Sequence, residues 1–268
     1  MSANDRPQDE NSFRSSPTGP RIAPPRNAPR PTAKPWPNYS ATYKIPFWSV
    51  IIFVLLASHI GIRAYRDLSR PEAWSFWKDQ YVSPSLSSTA IGNAGLDGSD
   101  HSRRALAITG EIGPAAATWF RTRLNEAKLR PGDVILLSSP GGDLDQAIIM
   151  GEEIRSRGLL TGVGAVDASG RMRPASCASA CVLIYAGGKI RYGVEGSRLG
   201  VHRFVTEGRM EDPVADTQRT AGIILGYMTR MGVSASIVEA MSQTSDVRWL
   251  DAKQALAMNL ITDPVGKP

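Results

Sequence analysis

Apolar and polar positions divide the chain into three textures. Residues 1–44 alternate Pro, Ser, Asn and Arg, with nine Pro and few aliphatic side chains. Such a segment buries too little apolar surface to offset its chain entropy, so a disordered, partly polyproline arm is expected. The next eighteen residues, 45–62 (IPFWSVIIFVLLASHIGI), carry no charge and are bounded by Lys44 and Arg63. A helix over them would span about 27 Å, the short end of what a bilayer core requires. Tyr43, Trp48 and Tyr65 stand near its ends, where interfacial aromatics belong. A cleaved secretory signal competes with this reading, but 44 residues are long for its leading region and no clear small-residue cleavage site follows. An uncleaved single-pass anchor is predicted. Residues 63–82 pattern as an amphipathic juxtamembrane helix, and the Ser/Gly/Asp-rich stretch 83–102 as a linker.

From Arg103 short apolar runs alternate with helical patterns. Strands are predicted over 105–112, 134–139, 159–166, 197–204 and 247–250, and a short apolar segment over 180–186 that Gly187-Gly188 breaks. Helices are predicted over 114–129, from the Pro-Gly-Gly turn to about Arg157, and over 213–231, 234–243 and 251–258. Near-continuous apolar strands separated by helices define an α/β class, with a buried parallel sheet covered by helices. Residues 103–268 form that domain, and its functional groups are expected at the carboxyl ends of the strands.

Charge changes the picture less than its total suggests. The net charge is +6, but residues 1–44 hold seven Lys/Arg against three acids, which is +4 and leaves +2 for the rest. With no basic stripe on the folded part, a nucleic-acid partner is not expected. Two Cys and three His exclude a disulfide-rich scaffold and a four-cysteine zinc site, and no cofactor or metal is indicated. Arg63, Arg66 and Arg70 flank the anchor as heavily as Arg30, Lys34 and Lys44 do, so the positive-inside rule does not decide orientation. The adopted arrangement puts the short arm inside and the main domain outside the inner (cytoplasmic) membrane.

Three loops follow strands where chemistry is expected. Ser139-Pro140-Gly141-Gly142-Asp143 allows positive φ and brings backbone N–H groups to a helix start, although a plain strand-to-helix turn explains it too. Cys177-Ala178-Ser179-Ala180-Cys181 places a serine at a helix start, where a capping role competes with a nucleophilic one. Leu199-Gly200-Val201-His202-Arg203 carries the one histidine inside the domain, since His59 falls in the membrane stretch and His101 in the linker.

Taken together, SSPGGDLDQAIIMGEEIRSRG and CASACVLIYAGGKIRYGVEGSRLGVHRF resemble the ClpP/crotonase-like superfamily, and more closely its membrane-anchored periplasmic branch, over about Ala105 to Asp263. The resemblance implies Ser179 as nucleophile, His202 as general base, and the N–H groups of Gly142 and Ala180 as oxyanion hole. It implies a peptide or protein substrate bound as an added strand, and a homo-oligomer. The aspartate that the family sets before its last strand has no direct match. Asp246 falls one residue early, which in a regular strand aims it at the wrong face; a bulge would re-aim it, and the objection lapses if Asp246 lies before the strand starts. Asp251 is the other choice and reads as a helix cap. Cys177 and Cys181 read as two small buried hydrophobes or, if Cys177 is not helical, as a disulfide pair. Lys189 reads as a surface residue. The resulting expectation is a membrane-anchored serine hydrolase cleaving peptide bonds. A catalytically inactive scaffold and a crotonase-type acyl-CoA enzyme are the alternatives.

Overall fold

The computed structural model describes residues 46–92, 103–167, 169–204 and 212–264; the arm expected over 1–44 lies outside them. The chain divides into two units between Val54 and Leu55, inside the first helix. That helix, α1 (Phe47–Leu68), has 22 residues and none of them is buried. At about 33 Å it is long and apolar enough to cross a membrane, and it runs six residues beyond the predicted span.

The single juxtamembrane helix expected over 63–82 is divided: residues 63–68 continue α1, and helix α2 (Pro71–Trp77) and a π-helical turn (Lys78–Val82) follow after a break before Pro71. The turn is tied to the α/β domain by the buried Asp79. Its Oδ1 accepts from the Ser85 N–H at 2.8 Å and its Oδ2 from the Ala115 N–H at 3.0 Å. Ala115 opens α3 (Ala116–Ala127), which has no side-chain cap of its own. Asp79 and Gln146, which accepts from the Ala117 N–H, supply acceptors for the otherwise orphaned donors of that helix start.

The linker expected over 83–102 needs correction. Residues Leu86–Ile91 form β1, an antiparallel edge strand of the main sheet. Its Ser and Thr side chains are mostly exposed, so composition reads as loop what cross-strand pairing with β2 (Ala105–Gly110) makes a strand. The remaining strands of this sheet are parallel: β3 (Val134–Ser138), β4 (Leu160–Val163), β8 (Arg191–Gly193) and β11 (Asp263–Pro264), in the order β1-β2-β3-β4-β8-β11. Helix α4 (Leu144–Ser156) starts at Asp143, whose carboxylate caps the Gln146 N–H at 2.9 Å.

A short hairpin, β5 (Ala165–Val166) with β6 (Met172–Arg173), leads to a second sheet. There β7 (Ser176–Ala178) lies parallel to β9 (Arg198–Val201), which pairs antiparallel with β10 (Arg248–Leu250). Helices α5 (Cys181–Ala186), α6 (Pro213–Arg230), α7 (Ser236–Ser242) and α8 (Ala252–Ala257) complete the domain. The main core runs from Phe120 and Leu124 on α3 through Met150 and Ile154 on α4 to the wholly buried α5, and on to Ile224, Tyr227 and Met228 of α6. The parallel, helix-covered α/β architecture expected from the alternation is present.

Strand β8 escapes sequence reading because it opens with a charge. Arg191 is 2% exposed, and its guanidinium donates to the carbonyls of Leu260 (2.8 Å), Gly188 (3.1 Å), Met231 (3.2 Å) and Asn259 (2.6 Å). These carbonyls belong to segments that follow α5, α6 and α8, so one cation satisfies three chain ends. Burial, with the nearby Arg155 charge, lowers its pKa to about 10, and it stays protonated at neutral pH. Arg191→Met keeps the bulk but leaves several buried carbonyls without a donor. It should cost about 3 kcal/mol or more, read as a lower denaturant midpoint for the full chain.

Candidate active site

The three loops singled out in the sequence meet. Just after β3, Ser139 bridges Cys177 in the middle of β7: the Ser139 N–H donates to the Ser176 carbonyl and the Ala178 N–H to the Ser139 carbonyl, both at 3.0 Å. The Pro-Gly-Gly turn then runs past the segment after β2, with the Ile112 N–H donating to Gly141 O (2.8 Å) and the Asp143 N–H to Ile112 O (2.7 Å). In this pattern both partners flank Gly142 and its own N–H faces the other way. Gly141 and Gly142 have φ of +111° and +136°, a region that favours glycine. Space demands it too. A Cβ on Gly141 would stand 2.6 Å from the Ser179 Cβ and 3.1 Å from the Ala180 nitrogen, so the two loops touch at this α-carbon.

Ser179 has a φ of +57°, one of three non-glycine residues with a positive φ among the described residues. For an ordinary side chain this conformation costs about 1 kcal/mol. Its N–H donates to Gly200 O at 2.9 Å, which hooks the turn to β9. The side chain is partly exposed and, among the described residues, its hydroxyl makes no hydrogen bond. The capping role open to it is therefore unused: α5 has Ala180 at its cap position and no side-chain cap. The N–H groups of Gly142 and Ala180 likewise donate to no acceptor among the described residues.

His202 follows β9 directly, on the strand that pairs with the Ser179 loop. Its Nδ1 lies 2.7 Å from Arg203 O. A carbonyl only accepts, so Nδ1 carries the proton and Nε2 of the neutral ring is left as the acceptor. That is the tautomer a general base requires. Ser179 and His202 share no direct hydrogen bond.

Asp246 sits exposed in a bend before β10, and among the described residues its carboxylate has no hydrogen bond to His202. The β9–β10 ladder ends at the Arg248–Val201 pair, and beyond it the Arg203 N–H donates to Thr244 O at 2.9 Å, so the stretch between Thr244 and Arg248 bulges out with Asp246 in it. The Val247 side chain lies over Gly200, where its Cγ1 would stand 2.6 Å from a Cβ there. Asp251, the other choice, caps α8 by accepting from the Gln254 N–H at 2.7 Å. Asp246→Asn is therefore expected to change the rate of any Ser179-dependent reaction by less than about threefold. The labelling rate of Ser179 by a fluorophosphonate measures it.

The cysteines are bonded. Cys177 and Cys181 form a disulfide with a Cα–Cα separation of 5.3 Å, which corrects the reading of two unpaired buried hydrophobes. The pairing works because Cys177 lies in β7, only Cys181 belongs to α5, and the chain turns at Ser179 between them, so the two residues are not one helical turn apart. Lys189 is exposed, as expected. No group of three or more potential metal ligands occurs among the described residues.

No family model matches the sequence, and no curated protein matches it. Among solved structures the chain is similar to a mutant of ClpP1 from Listeria monocytogenes, with 18% identity and a TM-score of 0.48 over 61% of this chain and 91% of that one. It is also similar to a mutant of the membrane-bound stomatin-specific protease 1510-N, with 21% identity and a TM-score of 0.45 over 60% of this chain and 77% of that one.

Proposed function

We propose that the chain is a membrane-anchored serine hydrolase that cleaves peptide bonds. One observation carries this reading: a hydroxyl held at positive φ, on a turn in contact with a second loop, where among the described residues the hydroxyl has no hydrogen-bond partner and one backbone N–H on each loop has no acceptor. In the proposed reaction the Ser179 Oγ attacks the scissile carbonyl while His202 Nε2 takes its proton. The Gly142 and Ala180 N–H groups stabilise the oxyanion, a single such donor being worth about 3–4 kcal/mol. The imidazolium then protonates the leaving amine, and water, deprotonated by the same nitrogen, releases the acyl group. The Arg203 carbonyl holds the base, so the pair works as a dyad; the two approach to hydrogen-bond distance in the substrate complex. An extended peptide would add as a strand beside the glycine turn, and a homo-oligomer is part of the proposal.

Helix α1 supports anchoring in the inner membrane. The disulfide supports an extracytoplasmic domain, because such bonds persist in oxidising compartments. The test is turnover of quenched-fluorescence peptides by the full chain in lipid nanodiscs, with acyl-CoA thioesters as the contrasting substrate. Peptide cleavage that a fluorophosphonate stops is the expected result. Thioester turnover alone would move the chain to acyl-CoA chemistry. No turnover of either by folded, assembled protein would leave an interaction scaffold.

A further inference from the structure

We propose that the Cys177–Cys181 disulfide is a positioning device for the nucleophile turn, one that fixes the Ser179 hydroxyl and the Ala180 N–H as a unit. This rests on the serine-hydrolase reading. The bond closes a ring of five residues, and Ser179 is the middle one. One end, Cys177, is held in β7 by its pairing with Leu199 and its bridge to Ser139. The other, Cys181, opens α5, every residue of which is buried. Between two such anchors Ser179 is kept at φ +57°, a conformation that relaxes by rotation about its N–Cα bond, which carries the side chain and the following peptide with it. Rotation would turn the Ala180 N–H away from the place it shares with Gly142.

Two observations separate this role from the commoner ones. A five-residue ring is short, and short rings restrict the unfolded chain least, so global stability is not its main effect. Both cysteines are 0% exposed, so no external thiolate reaches the sulfurs in the folded state, and the bond is not a ready redox switch. It is made during folding: the two thiols lose two protons and two electrons, and a disulfide of an extracytoplasmic oxidoreductase is reduced to a dithiol in exchange.

The test compares the full chain with its C177A/C181A variant in nanodiscs, measuring the saturation kinetics of fluorophosphonate labelling at Ser179. The maximal labelling rate should fall about tenfold or more while the half-saturating probe concentration changes less than about twofold, because geometry and not binding is lost. Wild-type protein reduced in denaturant and refolded with dithiothreitol should show the same slow labelling, and oxidised glutathione should restore it. That pair of measurements serves also if the double variant fails to fold. A double variant, or refolded reduced protein, that labels at the wild-type maximal rate overturns the proposal. Absence of labelling in the oxidised wild type overturns the hydrolase reading itself, and this inference with it.

Discussion

Ser179→Gly should abolish activity and make the protein more stable. Removing the side chain removes the nucleophile, and the labelling and cleavage that depend on it should drop by about a thousandfold or more. The same change relieves a side chain held at φ +57°. Glycine adopts that region without penalty, so a gain of about 1 kcal/mol is expected, or 2–4 °C in melting temperature for a domain of this size. Ser179→Ala separates the two effects, because it removes the hydroxyl but keeps the strained Cβ; activity should vanish with no rise in melting temperature. Opposite signs for stability and activity at one residue mark strain kept for function. A serine whose only task is to shape a turn would show no loss of labelling.

Gly141→Ala carries the second large effect. Its Cβ would stand 2.6 Å from the Ser179 Cβ and 2.9 Å from the Ala178 carbonyl oxygen, on a backbone already at φ +111°. The loops must separate, and separation moves the Gly142 N–H away from the Ala180 N–H. Loss of one oxyanion donor lowers turnover by about a hundredfold to a thousandfold, and that is the drop expected in the rate constant for peptide cleavage. Substrate binding should weaken less. An equal effect on both would mean that the glycine turn serves only to hold the fold.

Where the candidate loops lie in the fold is largely legible in the sequence. Gly141-Gly142 after a continuous apolar run points to positive φ at a strand end, and the structure has it there. His202 is singled out by elimination, and it sits where β9 ends. The fold class follows from strand and helix periods, and most predicted elements agree with the structure to within a few residues.

What sequence reasoning misses depends on partners remote along the chain. Strand β1 has a half-polar pattern and exists through its pairing with β2. Strand β8 begins with Arg191, whose charge suggests a surface but whose donors are matched by carbonyls of two distant segments, at Met231 and at Asn259–Leu260, and of the nearby Gly188. The hairpin β5–β6 rests on Asp167, which accepts from Ser169 and from both Arg171 and Arg173. These bonds hold its carboxyl far below the usual range. The disulfide depends on Ser179 turning the chain back, which spacing alone does not reveal. Asp246 shows the opposite limit: chemistry nominates it, but it lies exposed in the bend where the β9–β10 ladder breaks off, and among the described residues it makes no hydrogen bond to His202.

The most direct measurement is the site of covalent modification. Full-length protein in nanodiscs is treated with a fluorophosphonate, whose phosphorus bonds the attacking oxygen as fluoride leaves, and the adduct is located by peptide mass spectrometry. The account predicts a single adduct on Ser179 that disappears in His202→Ala. An adduct on another residue, or on Ser179 at an undiminished rate without the imidazole, would contradict it.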